Sequence, residues 1–249
     1  MQGLTLEGRT ALVTGGAGGI GSAICRQLVA LGAKVVIVDL NIDGARALAG
    51  ELPGASAFAV DLAEAGSVDA LIEKVKRDVG QVDVLVNNAG WDKVEPFLQT
   101  VPATWDRLIN INLRAPVHLT HAFLGGMLAQ QWGRLVFISS DAARVGSSGE
   151  SVYSACKAGL IGFSKTMARE AARSQVTSNV VCPGPSDTPL LAEVAGTNPK
   201  LIEALKRSIP IGRLGQPDDV AGIVGFLASE RAAYITGQTI SVSGGLTMI

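Results

Sequence analysis

The sequence is poor in the residues that build disulfide frameworks and metal sites. Its 249 residues include only three cysteines, Cys25, Cys156 and Cys182, and two histidines, His118 and His121. The cysteines are too few and too scattered for a disulfide framework or a zinc site. The histidines are three residues apart without a cluster of further ligands, so we expect ordinary helix residues rather than a metal centre. We predict no bound metal.

Blocks of like charge and long apolar runs are also missing. Lys and Arg total 21 against 22 Asp and Glu, whereas proteins that bind nucleic acids or membrane surfaces normally carry a basic face. No signal-peptide pattern opens the chain, and no uncharged run approaches the roughly 20 residues of a membrane span. We therefore expect no nucleic-acid or membrane partner and a soluble, cytoplasmic protein. Hydrophobic residues make up 47%, which excludes a disordered chain.

Short β-branched runs alternate with longer helical patterns. The predicted strands are residues 9–14, 34–39, 57–60, 82–87, 134–139, 177–181 and 239–242. The predicted helices are residues 19–31, 44–52, 67–79, 103–111, 117–130, 150–173 and 217–228. This alternation indicates βαβ crossovers and a parallel sheet. We predict one α/β domain over residues 1–249, a Rossmann-like, doubly wound parallel sheet of about seven strands with helices on both faces and a substrate lid over residues 185–215.

The first predicted strand runs into a glycine-rich turn, Thr14-Gly-Gly-Ala-Gly-Gly-Ile-Gly21. Gly15, Gly19 and Gly21 allow a tight turn, a close approach of a pyrophosphate and close packing of helix on strand. The phosphates would lie at the positive helix N-terminus. Because the turn lies between a buried strand and a helix, it predicts a dinucleotide site.

The second predicted strand ends in Asp39, 18 residues after Gly21. That is close to the spacing of about 20 residues at which an acid binds the adenine ribose. The carboxylate would repel a 2′-phosphate, and no Lys or Arg lies nearby to receive one, so we predict NAD rather than NADP. A solvated strand end or a helix cap is the alternative for Asp39. Asp61 either accepts from the adenine amino group or caps a helix near Gly66 and Ser67.

A tyrosine and a lysine have the spacing needed for proton transfer. Tyr153 and Lys157 lie four residues apart on one face of the long predicted helix. Since a neighbouring ammonium favours the phenolate, we expect Lys157 to lower the pKa of Tyr153. Ser140 ends the preceding strand, where its hydroxyl would bond a substrate carbonyl oxygen. Ligands bind at the carboxyl ends of such strands, so these residues should converge on one crevice.

Together these motifs resemble the short-chain dehydrogenase/reductase family. The matching stretches span essentially the whole chain and are Thr14-Gly-x-x-x-Gly-x-Gly21, Asn87-Asn-Ala-Gly90, Asn112, Ser140, Tyr153-Ser-Ala-Cys-Lys157 and Pro183-Gly184. The resemblance implies that Tyr153 is the general acid/base and that Lys157 tunes it while bonding the nicotinamide ribose. It also implies that Ser140 holds the substrate oxygen and that Asn112 supports a proton-relaying water. These four residues are the expected catalytic set.

The same resemblance implies the cofactor contacts. The expected NAD-binding residues are Gly15, Ala17, Gly18, Gly19, Ile20, Gly21, Asp39, Leu40, Asp61, Leu62, Asn88, Ala89, Gly90, Tyr153, Lys157, Pro183, Gly184, Ser186 and Thr188. Residues 88–90 would line the adenosine side, and Pro183, Gly184 and Thr188 would meet the nicotinamide. The family resemblance further implies a homotetramer, with a hetero-oligomer containing a related subunit as the alternative.

Four further stretches are similar to the 2-hydroxycyclohexanecarboxyl-CoA dehydrogenases and related hydroxyacyl-CoA dehydrogenases of anaerobic aromatic degradation. These stretches are residues 90–92, 140–150, 181–188 and 241–248. That similarity implies reversible, NAD-dependent oxidation of a β-hydroxyacyl-CoA such as a 2-hydroxycycloalkane- or hydroxy(phenyl)alkyl-carboxyl-CoA. A dehydrogenase of CoA-free ketones, keto esters or secondary alcohols is one alternative. A non-catalytic partner subunit is another, against which the intact catalytic set argues.

The expected substrate residues are Trp91, Ser140, Arg144 and Tyr153. Arg144 reaches a carboxylate or thioester, or else pairs with Asp141 or Glu150 or packs at a subunit interface. Trp91 forms an apolar wall or belongs to the core. For Cys156 we expect a small buried hydrophobe rather than a reactive thiol.

Four basic side chains of the lid would meet the phosphates of a CoA thioester, namely Lys200, Lys206, Arg207 and Arg213. We expect a lid helix that buries Leu201, Leu205 and Ile209 and leaves these charges exposed. An ordinary solvated helix face is the alternative.

Overall fold

The alternating patterns of the sequence fold into a parallel sheet. A computed structural model describes residues 3–188, 191, 196 and 199–249, with only the backbone for residues 199–201. In this part of the chain the strands are β1 (Thr10–Thr14), β2 (Lys34–Asp39), β3 (Ser56–Ala59), β4 (Val84–Asn87), β5 (Gly133–Ile138), β6 (Val176–Pro183) and β7 (Thr239–Val242). They form one seven-stranded sheet in the order β3-β2-β1-β4-β5-β6-β7, and every neighbouring pair is parallel. The predicted doubly wound sheet is confirmed.

Helices follow most of the strands. They are α1 (Gly19–Ala30), α2 (Ile42–Glu51), α3 (Ala65–Asp78), α4 (Pro102–Ile109), α5 (Ala115–Ala129), α6 (Ala142–Val145), α7 (Ser151–Ala171), α8 (Pro199–Ser208) and α9 (Pro217–Ala228). Single 3₁₀ turns form at Phe97–Gln99, Ala172–Ser174 and Glu230–Ala232. No helix in the described residues has the length and apolar character that crossing a membrane requires.

Each face of the sheet has its own apolar core. Successive side chains of a strand point to opposite faces, so Val13 of β1 lies in one core and Leu12 in the other. The first core packs against α1 and α9, and the second against α3, α5 and α7. Burial on both faces explains why the central strands read as continuous apolar runs rather than as alternating ones.

The strand order reverses between β1 and β4. One half of the sheet continues from β1 through β2 to β3, and the other continues from β4 to β7. A crevice therefore opens where the carboxyl ends of β1 and β4 diverge, at Thr14 and Asn87. This topology places the glycine-rich turn beside the segment that follows β4.

The region between β4 and β5 differs from the prediction of two separate helices. A π-helical turn, Asn110–Arg114, joins α4 to α5 in one continuous run. Pro116 lacks an N–H, and the wide π turn just before it accommodates the interrupted hydrogen-bond ladder. The sequence pattern predicted a break between residues 111 and 117, whereas the structure continues the helix through Pro116.

The lid prediction is only partly within the described residues. Residues 189–190, 192–195 and 197–198 lie outside them, as do the side chains of Lys200 and Leu201. The predicted lid helix is present as α8, and Ile209 after it is buried.

Replacement of Phe137 tests the packing of the second core. This side chain is fully buried and meets the ring of Phe163 edge to face at 5.7 Å. Phe137→Ala should lower the free energy of unfolding by about 3–5 kcal/mol, because it leaves a cavity in a close-packed core. Urea denaturation measures this loss. The matched variant Phe58→Ala, in the half-buried edge strand β3, should lose clearly less, and equal losses would contradict the account of the core.

Candidate active site

The glycine-rich turn after β1 approaches neighbouring backbone too closely for side chains. A Cβ on Gly21 would lie 1.9 Å from the carbonyl oxygen of Gly15. Gly15 itself has φ +63°, and its Cβ would lie 2.9 Å from the Cα of Ala89. Helix α1 then starts at Gly19, and Gly18 at its N-cap provides no side-chain acceptor for the first N–H groups. Exposed first-turn N–H groups attract anions, so this turn suits a pyrophosphate.

Asn88 holds the turn to the end of β4. Its Nδ2 donates to the carbonyl oxygens of Thr14 (2.9 Å) and Gly15 (3.1 Å). In return, the Thr14 hydroxyl accepts from the backbone N–H groups of Asn88 and Ala89, both at 3.1 Å. We predicted that Asn88 contacts the adenosine. In the structure its side-chain amide nitrogen donates hydrogen bonds to the glycine-rich turn.

The carboxylate of Asp39 is positioned by backbone N–H groups. Its Oδ2 accepts from Ala17 at 2.9 Å and its Oδ1 from Asn41 at 2.9 Å. Asn41, not Asp39, caps α2 by accepting from Gly44. The helix-cap alternative for Asp39 is therefore wrong, and the carboxylate lines the same cavity as the glycine-rich turn.

Asp61 also lines that cavity. Its Oδ1 accepts from the N–H of Ala63 at 2.9 Å, and its own N–H donates to the Ser67 hydroxyl. The N-cap of α3 is Glu64. Asp61 thus shapes the turn before α3 without being its N-cap, and its side chain remains beside the cavity.

One cavity of about 1030 Å³ brings most of the predicted site residues together. Its lining includes Gly15, Gly18, Gly19, Ile20, Gly21, Asp39, Leu40, Asp61, Leu62, Asn88, Ala89, Gly90, Trp91, Ser140, Tyr153, Lys157, Pro183, Gly184, Ser186 and Thr188. Of the predicted site residues, Ala17, Asn112 and Arg144 are not part of the lining. The volume, the glycine-rich turn and the Asp39 carboxylate fit a nicotinamide dinucleotide together with a substrate.

Ser140, Tyr153 and Lys157 form a chemically coherent group at the carboxyl end of β5. Ser140 and Tyr153 line the cavity together, and the Ser140 hydroxyl accepts from the N–H of Ala142 at 3.2 Å. The Nζ of Lys157 donates to the carbonyl oxygen of Ile138 at 2.9 Å and lies 5.6 Å from the centre of the Tyr153 ring. Lys157 is 2% exposed, and burial lowers its pKa to about 8. This group can hold a substrate oxygen and exchange a proton with it.

Asn112 lies fully buried in the π turn and contacts backbone. Its Nδ2 donates to the carbonyl oxygens of Trp91 (2.7 Å) and Leu108 (3.0 Å), and its Oδ1 accepts from the N–H of Trp91 at 3.2 Å. Both amide protons are thereby occupied, which leaves one lone pair of Oδ1 for a water. Asn112 fixes the segment after β4 against the helix.

The predicted lowering of the Tyr153 pKa is not what the structure shows. Burial of the phenol raises its pKa, and the negative charges of Asp92 and Glu150 raise it further. The hydrogen bond from Ser140 lowers it, but to a smaller extent. The sequence places only Lys157 next to Tyr153, whereas the fold adds two carboxyl groups from other segments.

Asp92 and Glu150 are two titratable cavity residues that the predicted site did not include. Both line the cavity together with Tyr153. Burial, together with the hydrogen bond and charge of Glu150, raises the pKa of Asp92 to about 7. Glu150 precedes Tyr153 by three residues, a spacing that places both on one helix face. That signal could have located Glu150, but nothing local pairs it with Asp92.

Arg144 belongs to a hydrogen-bonded chain. Its Nη1 donates to the Ser241 hydroxyl at 2.8 Å, and Ser241 donates to Oδ1 of Asp141 at 2.5 Å. Among the described residues Arg144 forms no direct ion pair with Asp141 or Glu150, and the Ser241 hydroxyl lies between Arg144 and Asp141. Arg144 does not line the cavity in which its predicted substrate contact would occur.

Trp91 lines the cavity with one cation stacked on it. The guanidinium of Arg107, which also lines the cavity, lies 4.5 Å from the centre of the Trp91 ring. Cation–π contact of this kind fixes both side chains. Of the two alternatives for Trp91, a wall of the cavity or a core residue, the structure shows the wall.

The lid cations that the structure describes have partners. Lys206 pairs with Glu203 at 3.0 Å, and Arg207 donates to the carbonyl oxygen of the same residue. Arg213 binds Asp219 through two hydrogen bonds of 2.6 and 3.0 Å. The charges of Lys206 and Arg213 are therefore each compensated by a carboxylate, and Arg207 is exposed.

The cysteines and histidines occupy structural positions. Cys25, Cys156 and Cys182 are each buried, and none of them forms a disulfide. Burial raises the pKa of the Cys156 thiol. This confirms a buried, protonated side chain. His118 and His121 lie on α5, and Nε2 of His118 is 3.1 Å from Asp69.

Comparison with known proteins places this site in a family. A family model described as Enoyl-(Acyl carrier protein) reductase matches residues 15–247. The chain is 38% identical over 247 residues to the 3-oxoacyl-[acyl-carrier-protein] reductase FabG of Escherichia coli strain K12, covering 99% of this chain and 100% of that one. It is 39% identical over 251 residues to the 2,3-dihydroxy-2,3-dihydro-p-cumate dehydrogenase of Pseudomonas putida strain F1, covering 99% and 97%.

Solved structures agree with these relatives. A putative gluconate dehydrogenase from Agrobacterium tumefaciens superposes with a TM-score of 0.93 at 28% identity, covering 99% of both chains. A putative NAD(P)-dependent gluconate 5-dehydrogenase from Beutenbergia cavernae, with bound NADP, gives a TM-score of 0.91 at 33% identity and covers 98% of both chains. The chain therefore belongs to the short-chain dehydrogenase/reductase family and is an oxidoreductase of the alcohol dehydrogenase/ketoreductase type.

Proposed function

We propose that this protein is an NAD-dependent dehydrogenase that reversibly converts the secondary alcohol of a β-hydroxyacyl thioester to a ketone. The observation that carries the proposal is the meeting of Ser140, Tyr153 and Lys157 with the glycine-rich turn in one cavity. A 2-hydroxycycloalkane- or hydroxy(phenyl)alkyl-carboxyl-CoA is the substrate we favour. The CoA-free ketones, keto esters and secondary alcohols are the second candidate, favoured by the relatives named for a dihydrodiol and for gluconate.

In the proposed mechanism the phenolic oxygen of Tyr153 takes the proton from the substrate hydroxyl during oxidation. Ser140 holds the substrate oxygen by a hydrogen bond and lines the cavity together with Tyr153. Lys157 supplies a buried ammonium beside the phenol, fixed by the carbonyl oxygen of Ile138. A nicotinamide dinucleotide held by the glycine-rich turn and Asp39 would supply the hydride acceptor for the carbinol carbon. Asn112 orients the segment after β4 and holds the relaying water.

The choice of NAD over NADP is supported by Asp39. Its carboxylate is held in place by two backbone N–H groups at the end of β2, where an acid binds the ribose hydroxyls. A fixed negative charge there repels a 2′-phosphate. The Beutenbergia cavernae neighbour carries NADP in its structure, so the preference of this chain depends on its own residue at this position.

The acyl thioester assignment is supported by the apolar part of the cavity and by a relative. Apolar side chains of the lining include Trp91, Val145, Leu191, Leu205 and Leu246, which suit a carbocyclic or other apolar acyl group. The Escherichia coli relative is named for a 3-oxoacyl group on an acyl carrier protein. A thioester carrier would extend toward α8, which carries Lys206 and Arg207.

We also propose a homotetramer that acts in the cytoplasm, with a hetero-oligomer containing a related subunit as the alternative. Two groups of exposed apolar side chains support two different interfaces. One group lies within residues 97–109 and comprises Phe97, Leu98, Val101 and Ile109, and the other lies within residues 234–249 and comprises Tyr234, Met248 and Ile249. The three unpaired cysteines suit a reducing compartment.

Tyr153→Phe tests the reaction assignment. The change removes one hydroxyl, and the loss of a general acid/base should lower kcat by roughly 10²–10⁴-fold. Steady-state rates with NAD and a β-hydroxyacyl thioester measure it, and NAD titration shows that the binding site persists. A Phe variant with the wild-type kcat would exclude Tyr153 as the acid/base.

Asp92→Asn tests the electrostatic environment of Tyr153. The Asp92 carboxylate raises the pKa of the phenol, so its removal should lower that pKa. Oxidation needs the phenolate, and its rate rises with pH through the Tyr153 pKa; the rise should therefore occur at lower pH in the variant. The pH profile of kcat for alcohol oxidation measures this. Asp78→Asn, an exposed surface change next to Arg77, should leave the profile in place, and an unmoved profile in Asp92→Asn would refute the coupling.

Asp39→Ser tests cofactor choice. The change removes the negative charge and one of the carboxylate oxygens that accept backbone N–H groups. KM for NAD should rise and KM for NADP should fall, which narrows the preference for NAD. Asp43→Asn, an exposed acid on α2, is the charge-matched control. Equal use of NAD and NADP by the wild type would already contradict the proposal.

The double variant Lys206→Gln, Arg207→Gln tests the thioester carrier. If these side chains bind carrier phosphates, KM for a β-hydroxyacyl-CoA should rise by roughly two- to tenfold, the effect of two solvent-screened ion pairs. kcat should change little, because the lost contacts stabilise the bound substrate and the transition state equally. A small CoA-free alcohol should react as with the wild type. Equal effects on both substrates would favour the CoA-free alternative.

A further inference from the structure

Two carboxyl groups line the cavity beside Tyr153, away from the glycine-rich turn. They belong to Asp92 and Glu150, here called the carboxyl pair, and both line the cavity together with Tyr153. The proposed catalytic mechanism uses neither group.

Backbone contacts hold together the two loops that carry the carboxyl pair. The loop after β4 and the loop before α7 are joined by a hydrogen bond of 3.0 Å from the N–H of Glu95 to the carbonyl oxygen of Gly149. Gly149 has φ +85°, and a Cβ there would lie 2.8 Å from Cγ1 of Val94. Only glycine allows this close approach without strain. The meeting of the two carboxyl groups is thus fixed by the fold.

The cations around the carboxyl pair are engaged elsewhere. Lys93 pairs with Glu95 at 2.8 Å, and Lys157 donates to the carbonyl oxygen of Ile138. Arg107 stacks on the Trp91 ring. Among the described residues the carboxyl pair forms no ion pair of its own. It therefore contributes net negative charge to the substrate end of the cavity.

We propose that the carboxyl pair determines the charge of the substrate: it admits an uncharged carbonyl group, such as an ester or thioester, next to the reacting carbinol and rejects a free carboxylate there. The inference rests on the proposed function, since it concerns the same cavity. A carboxylate near the pair meets like charge in a partly desolvated site, where repulsion is screened less than in water. An ester or thioester of the same acid meets no such repulsion.

The test compares one small acid with its neutral ester, which removes any effect of the CoA phosphates. The substrates are 3-hydroxybutyrate and ethyl 3-hydroxybutyrate, assayed at pH 8, where the pair is most highly charged. The measured quantity is the ratio of kcat/KM for the acid to kcat/KM for the ester. The wild type should favour the ester by tenfold or more. Asp92→Asn and Glu150→Gln should each raise the ratio, and the double variant should raise it most, by roughly tenfold.

Two readouts keep this proposal separate from the proposed function. Binding of both compounds, followed by tryptophan fluorescence because Trp91 lines the cavity, gives the ratio of Kd values without turnover. Asp43→Asn, an exposed acid outside the cavity, is the control for net charge and should leave both ratios unchanged. Ratios that stay at the wild-type value in all three variants would overturn the role of the pair. Absence of turnover by the wild type, with altered Kd ratios in the variants, would overturn the proposed function alone.

Discussion

Four hydrogen bonds between the ends of β1 and β4 hold together the crevice on which the site depends. The hydroxyl of Thr14 accepts two of them, and the side-chain amide of Asn88 donates the other two. They join the two strands at the point where the sheet order reverses. Because the strands diverge there, side-chain groups must bridge their ends, and the glycine-rich turn is fixed against the segment that carries Trp91 and Asp92.

The electrostatics of the cavity follow from a balance between burial and charge. Burial lowers the pKa of Lys157 to about 8 and raises that of Asp92 to about 7. Two groups of opposite charge therefore titrate close to neutral pH on either side of Tyr153. The charges of Asp92 and Glu150 and the burial of the phenol oppose its ionisation. A single lysine neighbour does not set the acidity of this tyrosine.

Several polar residues of the predicted site form hydrogen bonds with other parts of the protein. Asn112 sits in a π turn and binds the backbone of Trp91 and Leu108. Arg144 is bound through Ser241 to Asp141. Both fix segments that line the cavity. Resemblance to a family identifies such residues, whereas their partners within the protein follow from the tertiary structure.

The sequence by itself determined the strands, most of the helices and the residues that line the cofactor end. Continuous apolar runs mark strands buried on both faces, and the glycine turn and the Tyr153–Lys157 spacing are local patterns within one element or one turn. Tertiary structure decided the continuous helix through Pro116, the contact of Asp92 with Glu150 and the raised pKa of Tyr153. Each of these depends on packing or on groups distant in the chain. Local periodicity encodes which face of an element is buried, but the partner and the dielectric surroundings of a side chain exist only once the elements have packed.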